Sequence, residues 1–140
     1  MPSPSIDNTK RGYIIPIGGA EEKLSNPEIL DRFVEICGGK PARIAIIPTA
    51  SQLEDTGRNY EKLFRRLGVS HARVLPFETR EDCDDASLLE YLGKADGVFM
   101  TGGNQLRLSP TLGGTQVARL IRRRNAEGKH VAGTSAGAAF

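Results

Sequence analysis

Near the carboxyl end of the chain, Gly133-Thr134-Ser135-Ala136-Gly137 follows directly on the apolar stretch His130-Val131-Ala132. A G-x-S-x-G between a strand and a helix start is the pattern of a nucleophile elbow, a serine on a turn so sharp that its neighbours must be small. Gly133 and Gly137 leave the room a Cβ would take, and Ala136 opens a predicted helix whose free N–H groups could face an oxyanion. The chemistry is acyl transfer through a serine ester. It needs a nucleophile, a base for its proton, and at least two N–H donors where the tetrahedral oxygen will sit.

A second loop, Thr101-Gly102-Gly103-Asn104-Gln105, supplies parts of that list. Ser135 is the candidate nucleophile and the Ala136 N–H a natural oxyanion donor. Gly102 or Gly103 is a plausible second donor, because glycine lets a backbone approach a substrate closely. Gln105, with Asn104 beside it, offers an amide to hold the peptide being cut. Taken singly, each signal is weak: G-x-S-x-G recurs by chance, and Gly102-Gly103 alone reads as a turn. The early Gly18-Gly19-Ala20 lacks both the G-x-G-x-x-G spacing and a Walker lysine, so a nucleotide site is not expected there.

The base is harder to find. There are two histidines. His130 opens the strand that carries Ser135 at its far end, and five extended residues span about 16 Å. His71 precedes another predicted strand, also at the amino edge of the sheet. Lys129 and Lys94 fail by the same geometry, while Lys23, in the loop after the first strand, is not excluded. The expectation is the amino-terminal half of a longer enzyme.

These groups are positioned by alternating short β-branched runs and helical periodicity. Strands are predicted at Tyr13–Ile17, Arg43–Ile47 (stopped by Pro48), Ala72–Leu75, Gly97–Met100 and His130–Gly133. Between them, Asn26-Pro27-Glu28 gives a cap, a first-position proline and a first-turn acid for a helix that buries Ile29, Leu30, Phe33, Val34 and Cys37 and ends at Gly38-Gly39. Tyr60, Leu63, Phe64 and Leu67 mark a second helix ended by Gly68. A short one follows near Asp85–Leu92, and Val117, Leu120 and Ile121 mark another that ends near Gly128. The reading is α/β: a parallel sheet with helices on both faces, a three-layer α/β/α sandwich, with ligands at the carboxyl ends of its strands. Strand order is not readable.

The composition sets outer bounds. At 140 residues, 26% charged, 39% hydrophobic and net charge +2, the chain reads as one ordinary globular domain with no nucleic-acid partner. Residues 1–11 form a polar Pro/Ser/Asn-rich tail with no apolar segment, and 12–140 the domain. No membrane segment is predicted, and a cytoplasmic location follows by default. Arg122-Arg123-Arg124 near a helix end complements the macrodipole and can be solvated. Cys37 and Cys83, far apart and outside any C-x-x-C, read as reduced core thiols.

Thr101-Gly102-Gly103-Asn104-Gln105 followed about thirty residues later by Gly133-Thr134-Ser135-Ala136-Gly137-Ala138 resembles the cyanophycinases. The openings Ile17-Gly18-Gly19-Ala20-Glu21 and Ile47-Pro48-Thr49-Ala50-Ser51 are similar to that family's too. The resemblance runs from about Gly12 to Phe140. It implies a class I glutamine-amidotransferase-like (flavodoxin-like) fold, shared with the aspartyl dipeptidases and cut here just after the elbow. It also implies a serine exopeptidase that releases β-aspartyl-arginine dipeptides from cyanophycin, a polyaspartate bearing arginine on each side chain.

The roles it implies are Ser135 as nucleophile, Ala136 and Gly102 or Gly103 as oxyanion donors, and Gln105 as a substrate contact. It further implies no metal or organic cofactor and a cytoplasmic homodimer as the complete protein, with the catalytic histidine and its acidic partner beyond the elbow. Two other readings stay open: a dipeptidase acting on short aspartyl peptides, and a non-catalytic binding domain that keeps the elbow as scaffold. An enzyme for the polymer must hold a guanidinium, for which paired carboxylates are suited. Glu21, Glu22, Glu54, Asp55 and Glu78 lie in or near the relevant loops, where they also read as solvated surface acids.

Overall fold

The computed structural model describes residues 11–16, 27–50, 55–102 and 110–133. In chain order these form β1 (Ile14–Pro16), α1 (Pro27–Cys37), β2 (Arg43–Ala50), α2 (Thr56–Arg66), β3 (His71–Val74), a 3₁₀ turn (Glu81–Asp84), α3 (Ala86–Gly93), β4 (Gly97–Gly102), α4 (Gln116–Ala126) and β5 (His130–Gly133). All pairings are parallel and the strand order is β1-β5-β4-β2-β3. Counted from β2, four strands follow the 2-1-3-4 order of a flavodoxin-like sheet, and β1 fills the place of the fifth.

Crossover handedness then assigns the helices. The chain moves one way along the sheet through α1 and α2 and the opposite way through α3 and α4, so right-handed connections place the two pairs on opposite faces. The side chains agree. Ile44 and Ile46 of β2, Phe99 of β4 and Ala132 of β5 pack with Leu30, Phe33, Tyr60 and Phe64 of α1 and α2. Their strand neighbours Ala45, Ile47, Val98, Met100 and Val131 pack with Leu88, Leu92, Val117 and Ile121 of α3 and α4. This is the two-residue period of strands buried on both sides. Phe99 anchors the first face: the rings of Phe33, Tyr60 and Phe64 lie 5.8, 5.1 and 5.2 Å from it. Each such aromatic pair adds roughly 0.5–1.5 kcal/mol beyond the area it buries.

The ends follow local chemistry. Gly38, Gly39, Gly68 and Gly128 take positive φ just past the helices they terminate. Asp85 caps α3 by accepting from the N–H groups of Ser87 and Leu88, and the Thr115 hydroxyl caps α4 by accepting from that of Ala118.

Several expectations are corrected. Pro48 does not stop β2, which runs on to Ala50. The ladder to β4 shifts register between Ile47 and Ala50, and an irregularity of this kind tolerates a residue with no N–H to donate. β3 starts at His71 and ends at Val74, one residue ahead of the expected span, and β4 runs two residues further, to Gly102. Arg124 is not a solvated end charge: its guanidinium donates to the Ala95 carbonyl at 2.7 and 3.2 Å and pairs with Glu127 at 3.2 Å. Cys37 and Cys83 are both buried and unpaired, as expected.

Candidate active site

Because every strand is parallel, Pro16, Ala50, Gly102 and Gly133 all end at one edge of the sheet. The register brings them level: Pro16 and Met100 both pair with Gly133, and Ala50 pairs with Gly102. The segments 17–26, 51–54, 103–109 and 134–140 therefore all continue from four adjacent strand ends. Between β2 and β4 the order reverses, and such a switch point is where open α/β sheets bind ligands.

Gly133, the first residue of G-x-S-x-G, is buried, and its missing side chain is explained. A Cβ there would lie 2.7 Å from the Met100 carbonyl oxygen and 3.1 Å from the Met100 Cβ. β4 thus passes too close to β5 for anything but glycine immediately before the turn. Gly102 is the last residue of β4, at this same edge. Ser135, Ala136, Gly103, Asn104 and Gln105 lie outside the described residues, as do Glu21, Glu22, Glu54 and Lys23. Of the acids considered for guanidinium binding, Asp55 and Glu78 are described, and both are exposed. Beside Glu78, Asp82 accepts from the N–H groups of Thr79 and Glu78, each at 2.9 Å, and these two bonds hold its carboxyl below the usual range.

Both histidines stand at the opposite edge. His130 pairs with Gly97, the first residue of β4, and His71 with Arg43, the first of β2. His130 is engaged there: its Nδ1 accepts from the Tyr13 N–H at 2.9 Å and its ring stacks on that of Tyr13. Burial, opposed by a main-chain hydrogen bond at Ile36 and helped by a smaller push from the Lys129 charge, holds its pKa below the usual value. Lys129 pairs with Asp96 and Lys94 with Glu90 at that same edge, each at 3.2 Å. Asp96 also accepts from the Arg43 N–H at 2.8 Å, so the acid near His130 ties strands together. Among the described residues no three of His, Cys, Asp and Glu gather as metal ligands would, and no helix is long and apolar enough to cross a membrane.

One residue near this edge was quoted with its loop but given no role. Thr101 is 1% exposed, and its Oγ1 has no hydrogen-bond partner among the described residues. The available signal was a lone hydroxyl at the end of an otherwise apolar strand.

The sequence profile of peptidase family S51 matches residues 14–140. The chain belongs to that family. As an S51 chain it is 41% identical over 131 residues to the cyanophycinase of Synechococcus elongatus, covering 92% of this chain and 41% of that protein. It is 43% identical over 132 residues to the cyanophycinase of Geminocystis herdmanii (strain PCC 6308), covering 92% and 48%. The chain thus spans less than half the length of these curated relatives.

Among solved structures it resembles a peptidase from an acI-B1 Actinobacterium, with a TM-score of 0.74 at 28% identity over 91% of this chain and 55% of that one. A putative peptidase E protein from Listeria monocytogenes EGD-e shares the fold, with a TM-score of 0.64 at 24% identity over 91% and 60%.

Proposed function

We propose that this S51 chain carries the nucleophile half of a serine exopeptidase that hydrolyses cyanophycin to β-aspartyl-arginine dipeptides. The observation that carries the reading is the level ending of β4 and β5 at the sheet's switch edge, where Gly133 has no room for a side chain. That arrangement starts the G-x-S-x-G segment and the Gly102-Gly103-Asn104-Gln105 segment from neighbouring strand ends. The 41–43% identity to two cyanophycinases supports the substrate.

In this reading Ser135 Oγ attacks the scissile carbonyl. The Ala136 N–H and that of Gly102 or Gly103 receive the charge that develops on its oxygen, while Gln105 and Asn104 hold the peptide. An oxyanion donor of this kind is worth about 10²–10³ in turnover. The proton from Ser135 needs an acceptor other than His130 or His71, which both lie at the far edge. The resemblance places that histidine and its acid after the elbow. The complete enzyme is read as cytoplasmic and dimeric.

The deciding experiment incubates the protein, as its gene encodes it, with purified cyanophycin and measures dipeptide release, beside Ser135→Ala. Release that vanishes in the variant, with the fold intact by circular dichroism, is the expected result. Release of dipeptides from short aspartyl peptides but not from the polymer would favour a dipeptidase. No modification of Ser135 by a fluorophosphonate, in folded protein, would leave only a binding domain.

A further inference from the structure

Near the amino ends of β2 and β3, positive charge gathers around one tyrosine. Arg43 opens β2, and Arg73 of β3 pairs with Ala45, two residues further along. Residues level in a ladder share a face, so both arginines rise on the α3 side of the sheet, where Ala45 is buried. By strand spacing and rise their Cα atoms are roughly 8 Å apart, diagonal neighbours whose long side chains can meet at one small ligand. Tyr91 of α3 stands over them. Its hydroxyl donates to the Ile44 carbonyl at 3.2 Å, and the guanidinium carbons of Arg43 and Arg73 each lie 5.6 Å from its ring centre. Arg65 of α2 reaches the same outermost strand and donates to the Ala72 carbonyl at 3.0 Å. Burial raises the Tyr91 hydroxyl above its usual pKa; the charges of Arg43, Arg73 and Arg65 oppose that rise, and Glu61 adds to it.

The cluster lacks a counter-charge. Among the described residues Lys94, Arg124 and Lys129 each hold a carboxylate at 3.2 Å, whereas Arg43, Arg65 and Arg73 hold none. Two nearby acids are engaged with main chain instead: Glu61 accepts from the Val74 N–H at 3.2 Å, and Asp96 from the Arg43 N–H at 2.8 Å. Arg43 Nε is buried with no hydrogen-bond partner among the described residues. Cations gathered on one ring repel one another, and a π-face attracts them without cancelling their charge. Arg73 is exposed, so the cluster is open to solvent. We propose that it is a binding site for an oxyanion, carboxylate or phosphate, taken by the guanidinium N–H groups of Arg43 and Arg73, with the Tyr91 ring holding both forks in place. A planar fork of donors matches such an anion in shape as well as charge. An anion bound there ties the outermost strand to β2 and α3, so occupancy stabilises the fold. The site is separate from the strand ends that lead to the elbow, and it does not rest on the hydrolase reading.

The test follows thermal unfolding of the protein, as its gene encodes it, against inorganic phosphate and against malonate, with sodium chloride holding the ionic strength constant. The parent is expected to show a saturable rise in melting temperature, roughly 5 °C at about ten times the half-saturating concentration. Arg73→Gln, at an exposed position, should raise the half-saturating concentration at least about tenfold, the scale of a charge-assisted hydrogen bond. Arg73→Lys should recover only part of the affinity, since a point charge does not replace a fork. Arg122→Gln removes the same charge from an exposed position on α4 and should leave binding within about twofold. Tighter phosphate assigns the site to phosphate groups, and tighter malonate assigns it to carboxylates. Arg43 is half-buried, so its part is read without substitution: its Nε–H signal in proton–nitrogen correlation spectra should shift as phosphate saturates.

A melting temperature that climbs without saturating, and equally in Arg73→Gln, is the general effect of an anion excluded from protein surface and would overturn the proposal. An equal loss of affinity in Arg122→Gln would do the same, because diffuse surface charge would then be the attraction. So would an Arg43 Nε–H signal that phosphate leaves unmoved. None of these readouts involves Ser135, so failure here and failure of the hydrolase reading are told apart by fluorophosphonate labelling.

Discussion

The Met100 carbonyl oxygen stands 2.7 Å from the point a Cβ on Gly133 would occupy. That oxygen belongs to the backbone of a central strand, so it cannot swing aside as a side chain would. Gly133→Ala must therefore push β5 away from β4, at a cost of about 1–3 kcal/mol by analogy with overpacked cores. Gly97→Ala is the matched control at the other end of the same strand pair. There a Cβ would meet Cys37 Sγ and lie 3.0 Å from the Phe33 ring and 3.1 Å from Ile44 Cδ1. Both variants should lower the urea midpoint. Only Gly133→Ala should also slow fluorophosphonate labelling of the folded protein, because only that end carries the turn. Equal labelling in the two would show that the elbow does not depend on the β4–β5 approach.

The same pair of residues shows what was legible beforehand. Ile44-Ala45-Ile46-Ile47 and Val98-Phe99-Met100 read as strands buried on both faces because short unbroken apolar runs bounded by glycine or proline suit a strand covered on both sides. The alternation then fell out as two clusters. Strand order was not legible, because it depends on pairing between segments more than a hundred residues apart, and no local pattern records that β1 lies beside β5. Pro48 misled because a rule about central strands ignores the register shift that accommodates it. Arg124 misled because a charge on a helix end looks solvated until a carbonyl such as that of Ala95 comes within reach. At the site, the glycine at position 133 was readable as a place with no room for a Cβ, but the cause was not, since the crowding atom is the Met100 carbonyl oxygen of the neighbouring strand. Thr101 was quoted as part of its loop without a role, since burial of one hydroxyl is a tertiary fact.

His130 makes β1 attachment sensitive to acid. Its Nδ1 must be unprotonated to accept from the Tyr13 N–H, and burial holds its pKa below the usual 6.5. As pH falls, the unfolded chain therefore takes up this proton before the folded one. The stabilisation is full above pH 6.5 and is lost as pH drops through the folded-state value. Urea midpoints should be lower at pH 5.5 than at 7.5, and His130→Phe, which keeps a ring to stack on Tyr13, should narrow that difference. An unchanged difference would assign the acid sensitivity elsewhere.

Cys37 sets a corresponding limit in alkali. Burial, reinforced by the negative charge of Asp96 and opposed by Lys129, pushes its thiol from 9.0 up to about 12. The folded state keeps the proton that the unfolded chain releases, so stability is complete below pH 9 and declines as pH rises toward 12. The slope is at most about 1.4 kcal/mol per pH unit. Cys83 and Tyr91 are raised by burial in the same direction. Cys37→Ala should therefore flatten the alkaline loss of stability without abolishing it. A variant whose melting temperature falls as steeply as the parent's between pH 9 and 11 would show that this thiol is not buried in solution.

The last prediction concerns the 140 residues by themselves. A serine hydroxyl is a poor nucleophile without a neighbouring base. His130 and His71 both start strands, paired with Gly97 and Arg43 at the amino edge. β5 carries the chain about 10 Å from His130 by the time it reaches Gly133, roughly three times the reach of a hydrogen bond. Shifting the ring would also cost the Tyr13 bond and stack that hold β1. The isolated chain should therefore show at most trace release of dipeptides from cyanophycin, with no loss when His130 is replaced by Phe. Robust turnover that vanishes in His130→Phe or His71→Ala would mean that the sheet rearranges on binding substrate, and that the separation of the two edges does not decide where the base comes from.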